Sequence, residues 1–143
     1  VITNQPQVAR GLITEEGVKQ FHEEINKKLN GIIDHFYFCP HHPEMHPDVP
    51  AQAKKYRVSC DCRKPQPGML FQAAREFNLN LKESWMIGDM ITDIIAGKSA
   101  GCKTIFIESP DNNNIILSSV NINREVKPDK YAVSLYDSTK FII

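Results

Sequence analysis

The stretch Trp85-Met86-Ile87-Gly88-Asp89-Met90-Ile91-Thr92-Asp93 constrains this chain more than any other. A short apolar run passes through a glycine and delivers an acid, the pattern of a buried strand whose carboxyl end opens at the mouth of a parallel sheet. Thr92 to Ala100 then reads as a helix that Gly101 stops, and Lys103 to Ile107 as a second buried strand. Two other polar clusters also look like strand ends: Thr3-Asn4-Gln5 near the start, and Cys39-Pro40-His41 after Phe36-Tyr37-Phe38. In open α/β sheets ligands bind outside the carboxyl ends of the strands, so the three ends are expected to share one rim.

The remainder of the chain keeps strand and helix alternating. Thr14 is suited to cap a helix that carries Glu15 and Glu16 in its first turn, with Val18, Phe21, Ile25 and Leu29 at helical spacing and Asn30-Gly31 at its end. Ile32 to Phe38 supplies β-branched and aromatic residues over strand length. Pro40, Pro43, Pro47 and Pro50 then argue against regular structure in the loop that follows. Pro67-Gly68 opens a second helix with Met69, Leu70, Ala73, Ala74 and Phe77 on its buried side and Asn78-Leu79-Asn80 at its end. Beyond Pro110, Asn112 to Asn114 reads as a turn, Ile115 to Val120 as helical, and Tyr131-Ala132-Val133 as a short last strand before a final helical turn. The fold class is α/β with a parallel sheet.

Composition sets the bounds. A chain of 143 residues with 41% hydrophobic content buries one ordinary core, so a single domain over residues 1–143 is expected. Seventeen basic residues balance seventeen acidic ones, which leaves no general cationic field for nucleic acid or membrane. No run approaches the roughly 18 apolar residues of a membrane span, and no charged-then-apolar leader opens the chain. A soluble, cytoplasmic protein with no nucleic-acid or membrane partner is the expectation. Val1-Ile2 is all that stands as a strand ahead of Thr3, and the first residue is not methionine. The chain therefore reads as N-terminally truncated, with its first strand missing; it would be monomeric if complete and prone to strand-edge association as it stands.

Cys39, His41, Cys60 and Cys62 form a Cys-x-His pair and a Cys-x-Cys pair that bracket the proline-rich loop over residues 39–62. Four such donors suit a tetrahedral zinc ion, and a full protein set leaves no position for water, so the site would be structural. It would order a loop that has little core of its own. The alternatives are free thiols beside a surface histidine, or a disulfide; His42 and His46 compete with His41 as ligands. Cys102, beside Gly101 at the entrance to an apolar strand, reads as a buried thiol.

Arg63 and Lys64 follow the second cysteine pair directly. A guanidinium grips a phosphate bidentately and an adjacent ammonium offsets charge on a transferring phosphoryl group; the plainer reading is two solvated cations. Thr3, Asn4 and Gln5 offer a hydroxyl, amides and backbone N–H groups as a cradle for phosphate oxygens, although a Thr-Asn pair is more often a turn or cap. Arg10 and Gly11 line the same loop or lie on the surface. Asp89 and Asp93 can converge on one hard cation such as magnesium, which is held by one or two carboxylates and a substrate phosphate. Asp93 alternatively orients the site from behind or stabilises its helix N-terminus.

Taken in order, Thr3-Asn4-Gln5, Cys39-Pro40-His41-His42-Pro43, Cys60-Asp61-Cys62-Arg63-Lys64-Pro65, Pro67-Gly68-Met69-Leu70 and Ile87-Gly88-Asp89 through Asp93 resemble the haloacid dehalogenase superfamily. Within it they resemble the zinc-loop branch of heptose-bisphosphate and histidinol-phosphate phosphatases, over Val1 to about Ile107. The resemblance implies a three-layer, Rossmann-like parallel sheet with helices on both faces. It implies a magnesium-dependent phosphomonoester hydrolase acting on a small phosphorylated sugar, with histidinol phosphate as the alternative substrate. It assigns Thr3 and Lys64 to the transferred phosphoryl group, Arg63 to the substrate, Asp89 to magnesium, and Cys39, His41, Cys60 and Cys62 to zinc. The family's Asp-x-Asp, which supplies nucleophile and acid, occurs nowhere in the 143 residues, so the nucleophile is expected upstream and the chain alone is expected to be inactive; a noncatalytic, ligand-binding remnant is the other reading. Pro6 and Met90 depart from the heptose enzymes, which often carry a small polar residue and a lysine there.

Overall fold

The computed structural model describes residues 1–43, 49–108 and 126–142. They divide into two compact units, 1–63 and 64–143, each with its own parallel sheet. Every strand pairing among the described residues is parallel, as the α/β reading requires.

The first unit pairs β1 (Ile2–Asn4) with β2 (Tyr37–Cys39), placing Thr3 opposite Phe38 and Asn4 opposite Cys39. Pro6 opens α1 (Pro6–Ala9), where its missing N–H costs nothing at the first helical position. Sequence periodicity gives no sign of this four-residue helix. Gly11, at φ +73°, passes so close to the Pro50 ring that an added Cβ would lie 2.8 Å from it, which fixes a glycine there. The helix expected after Thr14 is α2 (Glu15–Lys28), and the Thr14 hydroxyl accepts the Gly17 N–H at 3.0 Å as a cap should. Asn30 and Gly31, both in the left-handed region, turn the chain away.

Three expectations for this unit are corrected. Phe21 shares the spacing of Val18, yet Phe21 is 56% exposed while Val18 is buried, and His22 turns inward instead. The His22 ring stacks on Phe36 at 4.5 Å and meets Phe38 edge to face, so the imidazole takes the inward packing place expected of the Phe21 ring. The strand expected over 32–38 is confined to Tyr37–Cys39. The Asn26 side chain donates to the Ile33 carbonyl at 2.9 Å and accepts the Ile33 N–H at 3.0 Å, capturing the backbone groups a ladder would need. The proline-rich loop is not wholly irregular either, since Ala51–Tyr56 forms a 3-10 turn that buries Ala53.

The second unit begins with α3 (Gly68–Phe77), which ends at Asn78 in the left-handed conformation. Met69 is its buried anchor; Phe77, expected inside, is 47% exposed. A sheet of order β3-β4-β5 follows, built from β3 (Trp85–Gly88), β4 (Lys103–Ile107) and β5 (Lys130–Ala132). Between β3 and β4 lies α4 (Ile91–Ala100), with Gly101 closing it at φ +84°. The helix settles on the sheet at Gly97, where a Cβ would stand 2.7 Å from Met86 Cβ and 2.8 Å from Thr104 Cγ2. That approach lets Ile94, Ala96 and Ile105 lose all solvent contact. Burying each of the two isoleucines stabilises the unit by about 1.5–3 kcal/mol.

β5 is attached through Asp129. Its Oδ2 accepts the Thr104 N–H at 2.7 Å and hydroxyl at 2.9 Å, while its Oδ1 meets Lys98 Nζ at 2.5 Å. The last helical turn is α5 (Leu135–Ser138), capped by Ser134 and continued by a 3-10 turn over Thr139–Phe141. The elements expected over 112–120 lie outside the described residues. No described helix is long and apolar enough to cross a membrane.

Candidate active site and metal centre

In the first unit the parallel register brings two of the sequence clusters together. Asn4 and Cys39 are opposite rungs, and the Gln5 N–H donates to the Cys39 carbonyl at 2.8 Å, so the polar end of β1 abuts the first metal donor. The Gln5 side-chain amide reaches the Thr3 hydroxyl at 3.5 Å.

Cys39, His41, Cys60 and Cys62 place one donor atom each within 4.8 Å of one another. The Cys62 sulfur lies 3.1 Å from that of Cys39 and 3.3 Å from that of Cys60, and Cys39 and Cys60 are 3.5 Å apart. His41 Nδ1 stands 3.4 Å from the Cys62 sulfur and 3.7 Å from that of Cys39. A disulfide needs roughly 2.05 Å between sulfurs, so all three cysteines are thiols and the disulfide alternative falls away. Tetrahedral bonds of about 2.3 Å around zinc separate sulfurs by roughly 3.8 Å, so a small outward shift of the thiols from 3.1–3.5 Å would admit the ion. The four residues could therefore hold one zinc ion. Of the competing ligands, His42 is absent from the cluster and His46 lies outside the described residues. Cys102 is buried on its own, as expected, and burial pushes its thiol up.

Proton affinities in the cluster diverge. Burial, reinforced by the hydrogen bond to Cys62, pushes the Cys39 thiol far above the usual range. Burial also raises Cys62. Partial burial acts the same way on Cys60, but hydrogen bonds from Cys62 and Cys39 and the backbone N–H of Arg63 outweigh it and leave that thiol lowered. Zinc would deprotonate all three and release their protons.

The loop around these donors is tied down at several points. The Arg63 guanidinium donates to the His41 carbonyl at 3.1 Å, so the cation that follows the last cysteine is oriented by the backbone of a metal donor. Tyr56 donates its hydroxyl to Glu15 Oε1 at 2.5 Å, and its carbonyl accepts the His42 N–H at 3.0 Å. Sequence reasoning passes over Tyr56, which carries no pattern, and reads Glu15 only as an acid in the first turn of its helix.

In the second unit Lys64 and Asp93 meet. Lys64 Nζ is 2.6 Å from Asp93 Oδ1, with the two side chains only 12% and 6% exposed. The other carboxylate oxygen accepts the Met90 N–H at 3.1 Å, capping α4. Gly88 makes room for this, because a Cβ there would overlap the Asp93 carboxylate. Both Asp93 oxygens are thus engaged, while Asp89 stands exposed at the carboxyl end of β3. Asp89 could offer a carboxylate oxygen, the hard kind of donor that magnesium takes.

Parallel sheets with a glycine-aspartate strand end, a buried lysine-aspartate pair and a Cys/His loop define a class, and residues 61–138 match the HAD-hydrolase-like family. The chain belongs to that family. Among curated relatives it is 37% identical, over 132 residues, to D-glycero-beta-D-manno-heptose-1,7-bisphosphate 7-phosphatase of Photorhabdus laumondii, covering 84% of this chain and 67% of that protein. The enzyme of the same name from Pasteurella multocida is 39% identical over 76% of this chain and 58% of its own length. Across the first four of these relatives the chain spans 54% to 67% of their length. Among solved structures, D,D-heptose 1,7-bisphosphate phosphatase from B. bronchiseptica, complexed with magnesium and phosphate, superposes with a TM-score of 0.72 at 26% identity. It covers 99% of this chain and 71% of that one. The Rossmann-like α/β fold expected from the sequence is the fold of these neighbours.

Proposed function

We propose that the whole protein is a magnesium-dependent phosphomonoester hydrolase that removes the 7-phosphate of D-glycero-D-manno-heptose 1,7-bisphosphate. The observation that carries this reading is the buried Lys64–Asp93 pair. An ammonium withdrawn from water and held at 2.6 Å by a carboxylate is pre-aimed, and such a charge stabilises a transferring phosphoryl group far better than a solvated one. Similarity to heptose-bisphosphate phosphatases supports the substrate class.

In this reading Thr3 and Lys64 contact the transferred phosphoryl group, while Asn4, Gln5 and Arg63 hold the substrate. Asp89 would hold magnesium, with Asp93 placing Lys64. Magnesium, when bound, offsets the charge between nucleophile and phosphate. An aspartate supplied from outside these 143 residues attacks phosphorus, expelling the sugar oxygen, which a second aspartate protonates. Water then hydrolyses the aspartyl-phosphate. The greater length of the relatives supports such a source, and cytoplasmic residence follows from the same reading.

The test is magnesium-dependent phosphate release from heptose 1,7-bisphosphate and from histidinol phosphate, comparing this chain with one that also carries the Asp-x-Asp segment of its relatives. Turnover of the heptose substrate confined to the longer form is expected. Preference for histidinol phosphate would move the protein to the other branch. Ligand binding without turnover in both forms would replace the enzyme with a binding protein.

A further inference from the structure

Tyr56 supports the metal loop without offering it a donor. It ends the 3-10 turn Ala51–Tyr56, and its carbonyl accepts the N–H of His42, the residue after a metal donor. Its hydroxyl donates to Glu15, the first residue of α2, 41 positions away. Its ring lies 6.1 Å from that of His41, inclined at 47°, and Lys55 Nζ stands 4.7 Å from the ring centroid. Within the turn the Ala53 N–H donates to the Pro50 carbonyl and the Arg57 N–H to the Lys54 carbonyl, both short-range backbone contacts. The Tyr56 side chain thus joins the loop to α2, and its carbonyl joins the loop to the backbone next to His41.

We propose that Tyr56 is a positioning residue of the metal centre, clamping the His41–His42 backbone to the first turn of α2 so that the imidazole stays turned toward the three thiols. The inference rests on zinc being the ion that the four donors take. Residues that orient a ligand from behind commonly change metal affinity by roughly 10- to 100-fold. Zinc transfer from the purified chain to a colorimetric chelator measures the effect directly. Tyr56→Phe and Glu15→Ala should each release zinc about tenfold faster. The double variant should be no faster than either, because one hydrogen bond is lost in all three. Glu15→Gln, which keeps the acceptor oxygen but not the charge, should stay near wild type. Equal rates in Tyr56→Phe and wild type would overturn the proposal, as would multiplicative effects in the double variant. Glu15→Gln matching Glu15→Ala would also overturn it, assigning Glu15 to helix charge alone. A wild-type chain that takes up no zinc would overturn the metal reading as well.

Discussion

Lys64 Nζ and Asp93 Oδ1 are 2.6 Å apart and almost wholly withdrawn from solvent. Each compensates the other, and Asp93 also caps α4 through the Met90 N–H. Removing one partner strands a buried charge, which costs about 3–5 kcal/mol. Asp93→Ala should destabilise the chain by that order in urea denaturation, and Lys64→Met should restore part of the loss when combined with it. Additive effects would show that the two charges are independent.

Gly88 sets the space for that pair. Any side chain there meets the Asp93 carboxylate, so Gly88→Ala must displace the acid or the strand end. Overpacking of this kind costs about 1–3 kcal/mol. A lower melting temperature is expected for Gly88→Ala, and the loss should shrink when Asp93 is already alanine.

One zinc ion per chain should be found by elemental analysis, and Cys39→Ser, Cys60→Ser and Cys62→Ser should each reduce it toward zero. Cys102→Ser should leave it unchanged, since Cys102 stands apart from the cluster. Chelation should lower the melting temperature, because binding free energy in such sites is folding free energy. Retention of zinc by Cys60→Ser would remove Cys60 from the ligand set.

Hydrogen bonding to Lys98 holds the Asp129 carboxyl below the usual carboxylate range, helped by the Thr104 N–H and hydroxyl. A depressed folded value stabilises above the unfolded value of about 3.9, and the contribution disappears as pH falls through the lower folded one. Wild type should therefore lose more stability than Asp129→Asn on acidification below about pH 4. Asp129 is 40% exposed at its side chain, so salt should weaken the Lys98 part. Parallel pH profiles for the two proteins would count against the network.

Much of this was readable in the residues. Strong local signals mark α2, α4, β3 and β4: a cap at Thr14, a stop at Gly101, and apolar runs of strand length. The metal donors are equally legible, because few residue types bind zinc and their spacing brackets one loop. Four residues of α1 are too few to show a period. Ile32 to Phe36 have strand composition, but the Asn26 amide captures the backbone at Ile33, a tertiary event no window contains. Phe21 and Phe77 keep helical spacing and still face outward, since periodicity ranks faces without saying which neighbours exist. The links Tyr56–Glu15 and Thr104–Asp129 join residues 41 and 25 positions apart, each ordinary in its own surroundings.

Cys39 is at once a rung of the β1–β2 ladder and a donor in the metal cluster. A slip of one residue in that pairing would throw its sulfur to the opposite side of the ribbon. Correct alignment of the two strands and recognition of the ion are thus a single decision. An ion captured by all four donors would hold Cys39 in place, and with it the rung on which Asn4, the polar tip of the first strand, stands opposite.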